Sequence, residues 1–146
     1  MTKISRKNFK HFVPIEVRWG EMDALGHVNN TVFYRYSEDG RIDYIDLIAG
    51  SDPSRRGTGP ILADLRCSFL QQLRFPASVE IATRTRAIGR SSLKVEQALF
   101  YAGKNQPIAA YEAVVVWFDY RSQASVPVPE DVRQRIRDAE VVPPEE

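Results

Sequence analysis

One long helical pattern, followed by four strand-like segments in a row, limits the folds open to this 146-residue chain. Residues from about 30 to 49 predict a helix, because side chains recur at three- and four-residue spacing: Phe33, Ser37, Gly40, Tyr44 and Leu47. Period-two alternation then predicts strands at 61–73, 78–88, 92–102 and 108–120. The links between these strands are short and hold turn residues, so the strands should be antiparallel neighbours.

A further strand at 13–19 precedes the helix, which makes the fold class α+β. We expect a curved five-stranded antiparallel sheet wrapped around one long central helix. Gly40 costs about 1 kcal/mol relative to Ala in a helix interior, which predicts close approach of another backbone there. The last strand is apolar on both faces from Ala113 to Phe118, so we expect it to be covered on both sides.

We expect a single domain over residues 1–146, with its core at about 12–120. The C-terminal segment 121–146 should be peripheral, with a short amphipathic helix at 129–140 and a frayed tail, VVPPEE.

Composition excludes several classes of partner. The net charge of +1 gives no support for nucleic acid or an anionic membrane as partner. One cysteine, Cys67, forbids an intrachain disulfide, the first residues contain no secretory apolar region, and no apolar run approaches the ~18 residues of a membrane span. The expectation is a soluble, cytoplasmic protein. No metal-ligand spacing, nucleophile elbow or Gly-rich phosphate loop occurs, so no metal and no cofactor are expected.

The stretch VRWGEMDALGHVNNTVFYRYSEDGR, residues 17–41, crowds polar and turn-forming residues between the first strand and the helix. Asp23 can close an Asx-turn, although a carboxylate on a stiff loop at a strand end can also act as a base or a nucleophile. Asn29 or Asn30 can cap the helix, whose N-terminus carries free N–H groups. Gly26 supplies backbone freedom in the turn.

This stretch resembles the opening of the 4-hydroxybenzoyl-CoA thioesterase family of hotdog-fold acyl-CoA thioesterases. The similar pattern is acid-x-Asp-x-x-Gly-His-Val-Asn-Asn, followed by an aromatic-rich helix with an acid and an Arg. The resemblance continues through the hairpin AIGRSSLKVEQ and covers roughly residues 12–120. Glu21 and Trp19 are mild departures, since many members have Asp and Phe or Tyr there.

The resemblance implies a set of site residues. Asp23 corresponds to the catalytic carboxylate, either as nucleophile or as general base. The backbone amides of Val28, Asn29 and Asn30 would face the thioester carbonyl, with Asn30 as the leading oxyanion donor. His27 would orient Asp23 or move a proton.

The same resemblance places Arg90 and Ser91, at the tip of the second hairpin, against the nucleotide and phosphates of CoA. PSRRG, residues 53–57, is a weaker basic candidate.

Other acids and aromatics have structural explanations. Glu21 and Glu38 compete with Asp23, but Glu38 is expected to pair with Arg41 at i+3, and Asp39 to face solvent. Phe33, Tyr34 and Tyr36 could line an acyl pocket, although we expect most of them in the core: their spacing is that of a buried helix face.

The resulting hypothesis is an acyl-CoA thioesterase that forms a homo-oligomer, a dimer or homotetramer, with Asp23 of one chain near Arg90 of another. An acyl-carrier protein as thiol carrier stays open. The alternatives are a hotdog hydratase or dehydratase that uses His27 with Asp23, and a domain that binds acyl-CoA without turnover.

Overall fold

The computed structural model describes residues 4–50, 52 and 56–146 of the chain. A first strand, β1 (His11–Glu16), leads through a short 3-10 turn at Trp19–Glu21 to the long helix α1 (Asn30–Ala49). Five more strands and a second helix follow: β2 (Thr58–Phe69), β3 (Ser78–Ile88), β4 (Ser92–Tyr101), β5 (Pro107–Asp119), β6 (Ala124–Ser125) and α2 (Glu130–Ala139).

The strands form one antiparallel sheet in the order β1-β3-β4-β5-β2, with the two-residue β6 paired to β5. This confirms the predicted antiparallel α+β architecture. β3 has the predicted bounds, but β2 begins at Thr58, inside a segment that Gly and Pro predicted to be a loop. Pro60 is tolerated there because β2 is an edge strand, where one side of the backbone needs no hydrogen-bond partner.

The first strand ends earlier than predicted. Val17 still donates its amide to the Ala77 carbonyl at 2.9 Å, but the chain then turns into the 3-10 segment that starts at Trp19. Strand β2 likewise ends at Phe69 rather than residue 73, because the Leu70 and Gln71 amides both donate to the Ile108 carbonyl. Both early endings make room for the connections that hold the candidate site.

Helix α1 has the predicted bounds and lies across the concave face of the sheet. Four of the five predicted stripe residues are buried, but Leu47 is 52% exposed, and Ile48 is buried in its place. At 3.6 residues per turn, the residue four positions after Tyr44 stays on the buried face better than the residue three positions after it.

Gly40 marks the closest approach of α1 to the sheet. A Cβ added there would lie 2.8 Å from Ile81 Cγ1 and 3.0 Å from Gln97 Nε2. The predicted close approach is therefore present, but the neighbours are side chains of β3 and β4 rather than another backbone.

A small polar network lies buried between α1 and the sheet. Ser37 Oγ donates to Gln97 Oε1 at 2.6 Å, and Gln97 Nε2 donates to the Ser37 carbonyl and to Thr83 Oγ1, both at 2.9 Å. Because all these groups are fully buried and bonded, they fix the helix position along the strands.

The strand β5 is covered on one face only. Its inward residues, including Val115 and Trp117, are buried against α1 and α2, whereas Val114, Val116 and Phe118 on the other face are half-buried. The expectation of cover on both sides is thus not met within one chain. Farther along the convex face, Phe9 packs on Ala98 and Phe100 and covers that part of the sheet.

The C-terminal segment is more integrated than its composition suggests. Val132 and Ile136 of α2 are fully buried in the core. The tail, predicted to fray, pairs with β3: the Ile88 amide donates to the Glu145 carbonyl at 2.7 Å, and the Glu145 amide donates to the Arg86 carbonyl at 3.0 Å. Glu146 also forms ion pairs with Arg133 and Arg137. The tail is therefore held by its pairing with β3 and by ion pairs with arginines of α2. The local sequence of the tail predicts neither contact.

Candidate functional site

A tight loop between β1 and α1 brings the predicted site residues together. Met22 and Val28 form an antiparallel bridge, and the Asp23 amide donates to the His27 carbonyl at 2.8 Å. The Gly26 amide donates back to the Asp23 carbonyl at 3.0 Å, with Gly26 at φ +80°. Glycine adopts this positive φ without strain. The backbone of the loop thus has the conformation for which the sequence predicted a glycine at position 26.

Asp23 is half-buried, and its two carboxylate oxygens have different surroundings. Oδ1 accepts from the Leu25 amide at 2.9 Å, which is the Asx-turn that the sequence allowed. Within the described residues, Oδ2 has no hydrogen-bond partner. The turn contact thus holds the carboxylate in place while leaving one oxygen able to bind a water or a substrate atom.

The helix N-terminus leaves one predicted amide free. Asn29 is the cap, since its Oδ1 accepts from the Thr31 amide at 2.9 Å and from Thr31 Oγ1 at 2.7 Å. The Val28 amide donates to the Leu73 carbonyl and the Asn29 amide to the Glu21 carbonyl, so neither faces a ligand. Across the residues described, the Asn30 amide has no acceptor, and Asn30 as a residue is exposed. Of the three predicted donors, Asn30 alone keeps an N–H available.

The neighbouring acid, Glu21, is already committed to the protein. Its Oε1 accepts from the Arg18 amide at 2.7 Å and from the Tyr36 hydroxyl at 2.8 Å, while Oε2 lies 3.6 Å from Arg35 Nη2. Burial, and then the bond to Glu21, raises the pKa of Tyr36 above its usual range. Glu21 therefore locks the loop onto α1 and is a poorer candidate for chemistry than Asp23.

His27 has a partner that sequence reasoning missed. Its Nε2 lies 2.9 Å from Arg74 Nη2, and because a guanidinium only donates, that imidazole nitrogen accepts. The link between His27 and Asp23 runs through the backbone. Arg74 belongs to the RFPA connection, which sequence patterns predicted only as a turn, so spacing carried no signal for the contact.

The helix acid and arginine do not form the predicted ion pair. Arg41 donates to Ser37 Oγ at 2.5 Å, and no described carboxylate lies within 4.0 Å of its guanidinium. Glu38 is exposed. Burial lowers the pKa of Arg41, and the charge of Glu38 offsets only part of this decrease. Asp39 is exposed, as predicted.

Of the three helix aromatics, two belong to the core. Phe33 and Tyr36 are almost fully buried, as expected, and Tyr34 is partly exposed with its ring 6.3 Å from that of Phe69. Two further apolar side chains of the site loop were missed: Trp19 is 72% and Leu25 81% exposed. Exposed apolar groups beside Asp23 suit contact with a substrate or a second chain.

Arg90 and Ser91 lie far from Asp23 in the same chain. The site loop contacts the connection just before β3, whereas Arg90 follows the other end of this 11-residue strand, whose extended length is about 33 Å at 3.3 Å per residue. The Arg90 side chain is exposed, and its carbonyl accepts from the Val128 amide at 2.9 Å. Of the second basic candidate, residues 53–55 lie outside the described residues, and Arg56 pairs with Asp131.

The described residues form neither a metal-binding cluster nor a membrane-spanning helix. No group of three or more His, Cys, Asp or Glu side chains in residues 4–50, 52 and 56–146 could hold a metal ion. In the same residues, no helix combines the length and apolar character that a membrane crossing requires.

Comparison with known proteins gives a consistent family. The model of the thioesterase-like superfamily matches residues 17–136. A thioesterase from Thermus thermophilus, solved with coenzyme A and Zn, is 34% identical with a TM-score of 0.81, covering 94% of this chain and 98% of that one. The PA5185 protein of Pseudomonas aeruginosa is 29% identical with a TM-score of 0.83, covering 92% of this chain and 94% of that one.

A curated relative has a longer chain. The acyl-acyl carrier protein thioesterase ATL2 of Arabidopsis thaliana is 30% identical over 125 residues, which is 84% of this chain and 66% of the relative. The chain thus spans just under two thirds of that relative's length. Proteins named as thioesterases thus occur both among the curated relatives and among the similar solved structures. By its sequence match and its curled antiparallel sheet around one helix, the chain belongs to the thioesterase-like superfamily and has the hotdog fold.

Proposed function

We propose that the chain is an acyl-CoA thioesterase of the 4-hydroxybenzoyl-CoA thioesterase type, which hydrolyses acyl-S-CoA to a free acid and CoA. One observation carries the proposal: a single loop presents Oδ2 of Asp23 together with the amide of Asn30, and neither has a hydrogen-bond partner among the described residues. A carboxylate and an oxyanion donor are the two groups that thioester hydrolysis needs on either side of a carbonyl.

Asp23 has two chemically balanced routes. As general base, it takes a proton from water while the water oxygen attacks the carbonyl carbon; the Asn30 N–H bonds the resulting oxyanion. Collapse breaks the C–S bond, and the proton returns from Asp23 to the thiolate. As nucleophile, Asp23 attacks the carbonyl directly, expels the thiolate, and is freed when water hydrolyses the mixed anhydride.

The choice of CoA as thiol carrier is part of the proposal. It is supported by the coenzyme A bound to the 34%-identical thioesterase, while the plant relative is named for acyl-carrier protein substrates. The same acyl group, presented on CoA and on acyl-carrier protein, tests this choice. We expect a higher kcat/KM for the CoA thioester, and the opposite order would reassign the carrier.

The main test is thiol release from a panel of acyl-CoAs by wild type, Asp23→Asn and a matched control, Asp39→Asn. Both variants lose one carboxylate, but Asp39 lies exposed on α1, away from the loop. We expect Asp23→Asn to lose at least about 100-fold in kcat, the scale of general acid–base help, and Asp39→Asn to stay near wild type. Equal turnover by wild type and Asp23→Asn would show that another group is the catalyst.

The same samples separate the rival activities. Enoyl-CoA hydration, followed by the loss of enoyl absorbance, would favour a hydratase that uses His27 with Asp23. Tight binding of acyl-CoA without release of thiol would favour a ligand-binding protein. Either result, in the absence of thiol release, refutes the thioesterase proposal.

A homo-oligomer, either a dimer or a homotetramer, is also part of the proposal. The 12-residue edge strand β2 supports it, since such an edge is open to pairing with another chain. The position of Arg90 beyond the far end of β3 from the Asp23 loop also supports a site shared between chains, with Arg90 and Ser91 of one chain at the CoA phosphates of the other. A cytoplasmic location is proposed on the single cysteine, Cys67.

Complementation tests the shared site. Asp23→Asn and Arg90→Glu chains are assayed separately and after mixing with subunit exchange. In a mixed dimer, one site carries both substitutions, while the other combines intact Asp23 with intact Arg90, so we expect activity to recover. Failure to recover, with subunit exchange demonstrated, would place both groups in one chain or remove Arg90 from the site.

A further inference from the structure

Arg74 reaches the Asp23 loop from the connection between β2 and β3. Its Nη2 lies 2.9 Å from His27 Nε2, although the two residues are 47 positions apart in sequence. The neighbouring residues anchor this contact, because the Val28 amide donates to the Leu73 carbonyl at 2.8 Å and both of these side chains are buried. Arg74 itself is exposed, but the backbone beside it is fixed against the loop.

The contact with Arg74 decides which nitrogen of His27 carries a hydrogen. A guanidinium only donates hydrogen bonds, so Nε2 accepts and is unprotonated. A neutral imidazole has one N–H group, which must then be on Nδ1. An imidazolium has an N–H at both nitrogens and could not accept from Arg74 at all. With this contact formed, His27 is therefore a neutral imidazole protonated on Nδ1.

The Nδ1–H group of His27 is left for a ligand. Among the described residues, none accepts a hydrogen bond from Nδ1. His27 is only half-buried, and its Nδ1 is not enclosed by the protein, unlike Nδ1 of His11. The His27 carbonyl accepts from the Asp23 amide at 2.8 Å, so both side chains belong to one short turn. The N–H is thus presented by the same turn as the candidate carboxylate.

This tautomer can donate a hydrogen bond but cannot act as a base. A neutral imidazole takes up a proton at its lone pair, and in His27 the lone pair on Nε2 is bound to Arg74. For His27 to accept a proton there, the bond from Arg74 must first break. The Nδ1–H, by contrast, can bond to an acceptor oxygen of a substrate, where a fixed donor stabilises developing negative charge.

We infer that Arg74 is a positioning residue whose hydrogen bond holds His27 in the Nδ1–H tautomer, and that this N–H donates to an acceptor oxygen of the bound substrate. Asp23 is then the group of this loop that takes up a proton or attacks, and His27 is not a general base. The tautomer follows from geometry alone, whereas its effect on turnover rests on the proposed thioesterase activity.

His11, the other histidine of the chain, is an internal reference with the opposite tautomer. Its Nε2 lies 2.6 Å from Asp43 Oδ2, and because a carboxylate only accepts, this Nε2 carries the hydrogen. Nδ1 of His11 is buried and has no partner among the described residues, which costs less for a bare lone pair than for an N–H. The two rings should therefore give opposite signals in one spectrum.

Proton–nitrogen correlation spectra of protein with nitrogen-15-labelled histidine read both tautomers directly, at about pH 9, where ordinary histidines are neutral. His27→Asn assigns the signals, since only the His11 ring remains. We expect Nδ1–H for His27 and Nε2–H for His11. Arg74→Lys keeps a donor and should preserve the His27 signal, whereas Arg74→Glu supplies an acceptor and should shift His27 toward Nε2–H. Arg135→Glu, the same charge change at an exposed position of α2, should alter neither ring.

Thiol release then tests whether the tautomer contributes to turnover. Arg74→Glu should lower kcat about 2- to 10-fold, the weight of one hydrogen bond, with little change in KM, and Arg74→Lys should retain most of the activity. His27→Asn keeps an N–H on the atom next to Cγ, as Nδ1 is, but has no Nε2 for residue 74 to bind. In this background Arg74→Glu should have no further effect, because Arg74 acts through His27.

Three results would overturn the inference. An Nε2–H signal for His27 in wild type would show that Arg74 does not hold the ring. Unchanged kcat in Arg74→Glu, with the tautomer changed, would remove the role of the tautomer in turnover. An equal loss of kcat from Arg74→Glu in the wild-type and His27→Asn backgrounds would show that Arg74 acts on the substrate itself. Absence of thiol release by wild type would refute the proposed function, and the spectra would still decide the tautomer.

Discussion

Replacing Gly40 with alanine tests how tightly α1 is held against the sheet. Helix propensity alone predicts a gain of about 1 kcal/mol, since alanine is the better residue in a helix interior. The structure predicts the opposite result, because the new Cβ would lie 2.8 and 3.0 Å from the two Cγ atoms of Ile81 and 3.0 Å from Gln97 Nε2.

Neither neighbour can move cheaply. Ile81 is fully buried and β-branched, and Gln97 is held by hydrogen bonds to Ser37 and Thr83. Overpacking costs about 1–3 kcal/mol, and a weakened buried hydrogen bond about 1 kcal/mol more. Subtracting the propensity gain, we expect Gly40→Ala to lower the free energy of unfolding by about 1–3 kcal/mol.

Urea denaturation followed by circular dichroism, at one fixed protein concentration, measures this change. Asp39→Ala, on the exposed face one residue earlier, is the control and should change stability by less than about 0.7 kcal/mol. In an Ile81→Ala background, which removes both Cγ atoms, the Gly40→Ala penalty should shrink by about 1 kcal/mol or more. A Gly40→Ala protein more stable than wild type would refute the reasoning and show that the contact between α1 and β3 is soft.

Three other predictions follow from individual contacts. Asn29→Ala removes the cap on the Thr31 amide, so it should lower the free energy of unfolding, measured by urea denaturation, by about 1 kcal/mol. It should also lower the rate of thiol release, because the Asn30 amide is then less firmly held. Asn29→Asp keeps the capping oxygen and should behave as wild type. Burial raises the pKa of Glu140, so the folded state holds that proton more tightly than the unfolded chain. Stability relative to Glu140→Gln should therefore fall as pH rises from about 4.3 through the raised pKa, and a flat difference between pH 4 and 8 would contradict this. Burial also raises the pKa of Cys67 to about 11, so about one thiol in a thousand is ionised at pH 8. Without substrate, wild type should therefore react with a thiol reagent only slightly faster than Cys67→Ser does.

The prediction of the fold succeeded where one local signal dominates. Periodicity was enough to predict the bounds of α1 and β3, because each buries one face over many residues. The prediction failed at the start of β2. The local sequence of Thr58, Gly59 and Pro60 is typical of a loop, but these residues pair with β5. It failed again in the tail, where Glu145 pairs with β3.

The candidate site was predictable only in part. The identities of Asp23, Gly26 and Asn30 stand out because a turn, a helix N-terminus and an acid occur within eight residues. Which amides are free was not predictable, since the partners of Val28 and Asn29 are carbonyls of Leu73 and Glu21. The Arg74 contact with His27 depends on a connection 47 residues away.

The sequence by itself determined an antiparallel sheet around one helix and a polar loop at the helix start, because hydrophobic period and turn chemistry are local properties. Only the tertiary structure decided which of those polar groups stay unbonded and which side chains are buried. Arg41 illustrates the difference: its spacing to Glu38 predicts a surface ion pair, but packing of α1 on the sheet buries its guanidinium beside Ser37 and away from any described carboxylate. Hydrogen-bond partners and burial depend on residues distant in sequence, and only the folded chain brings those together.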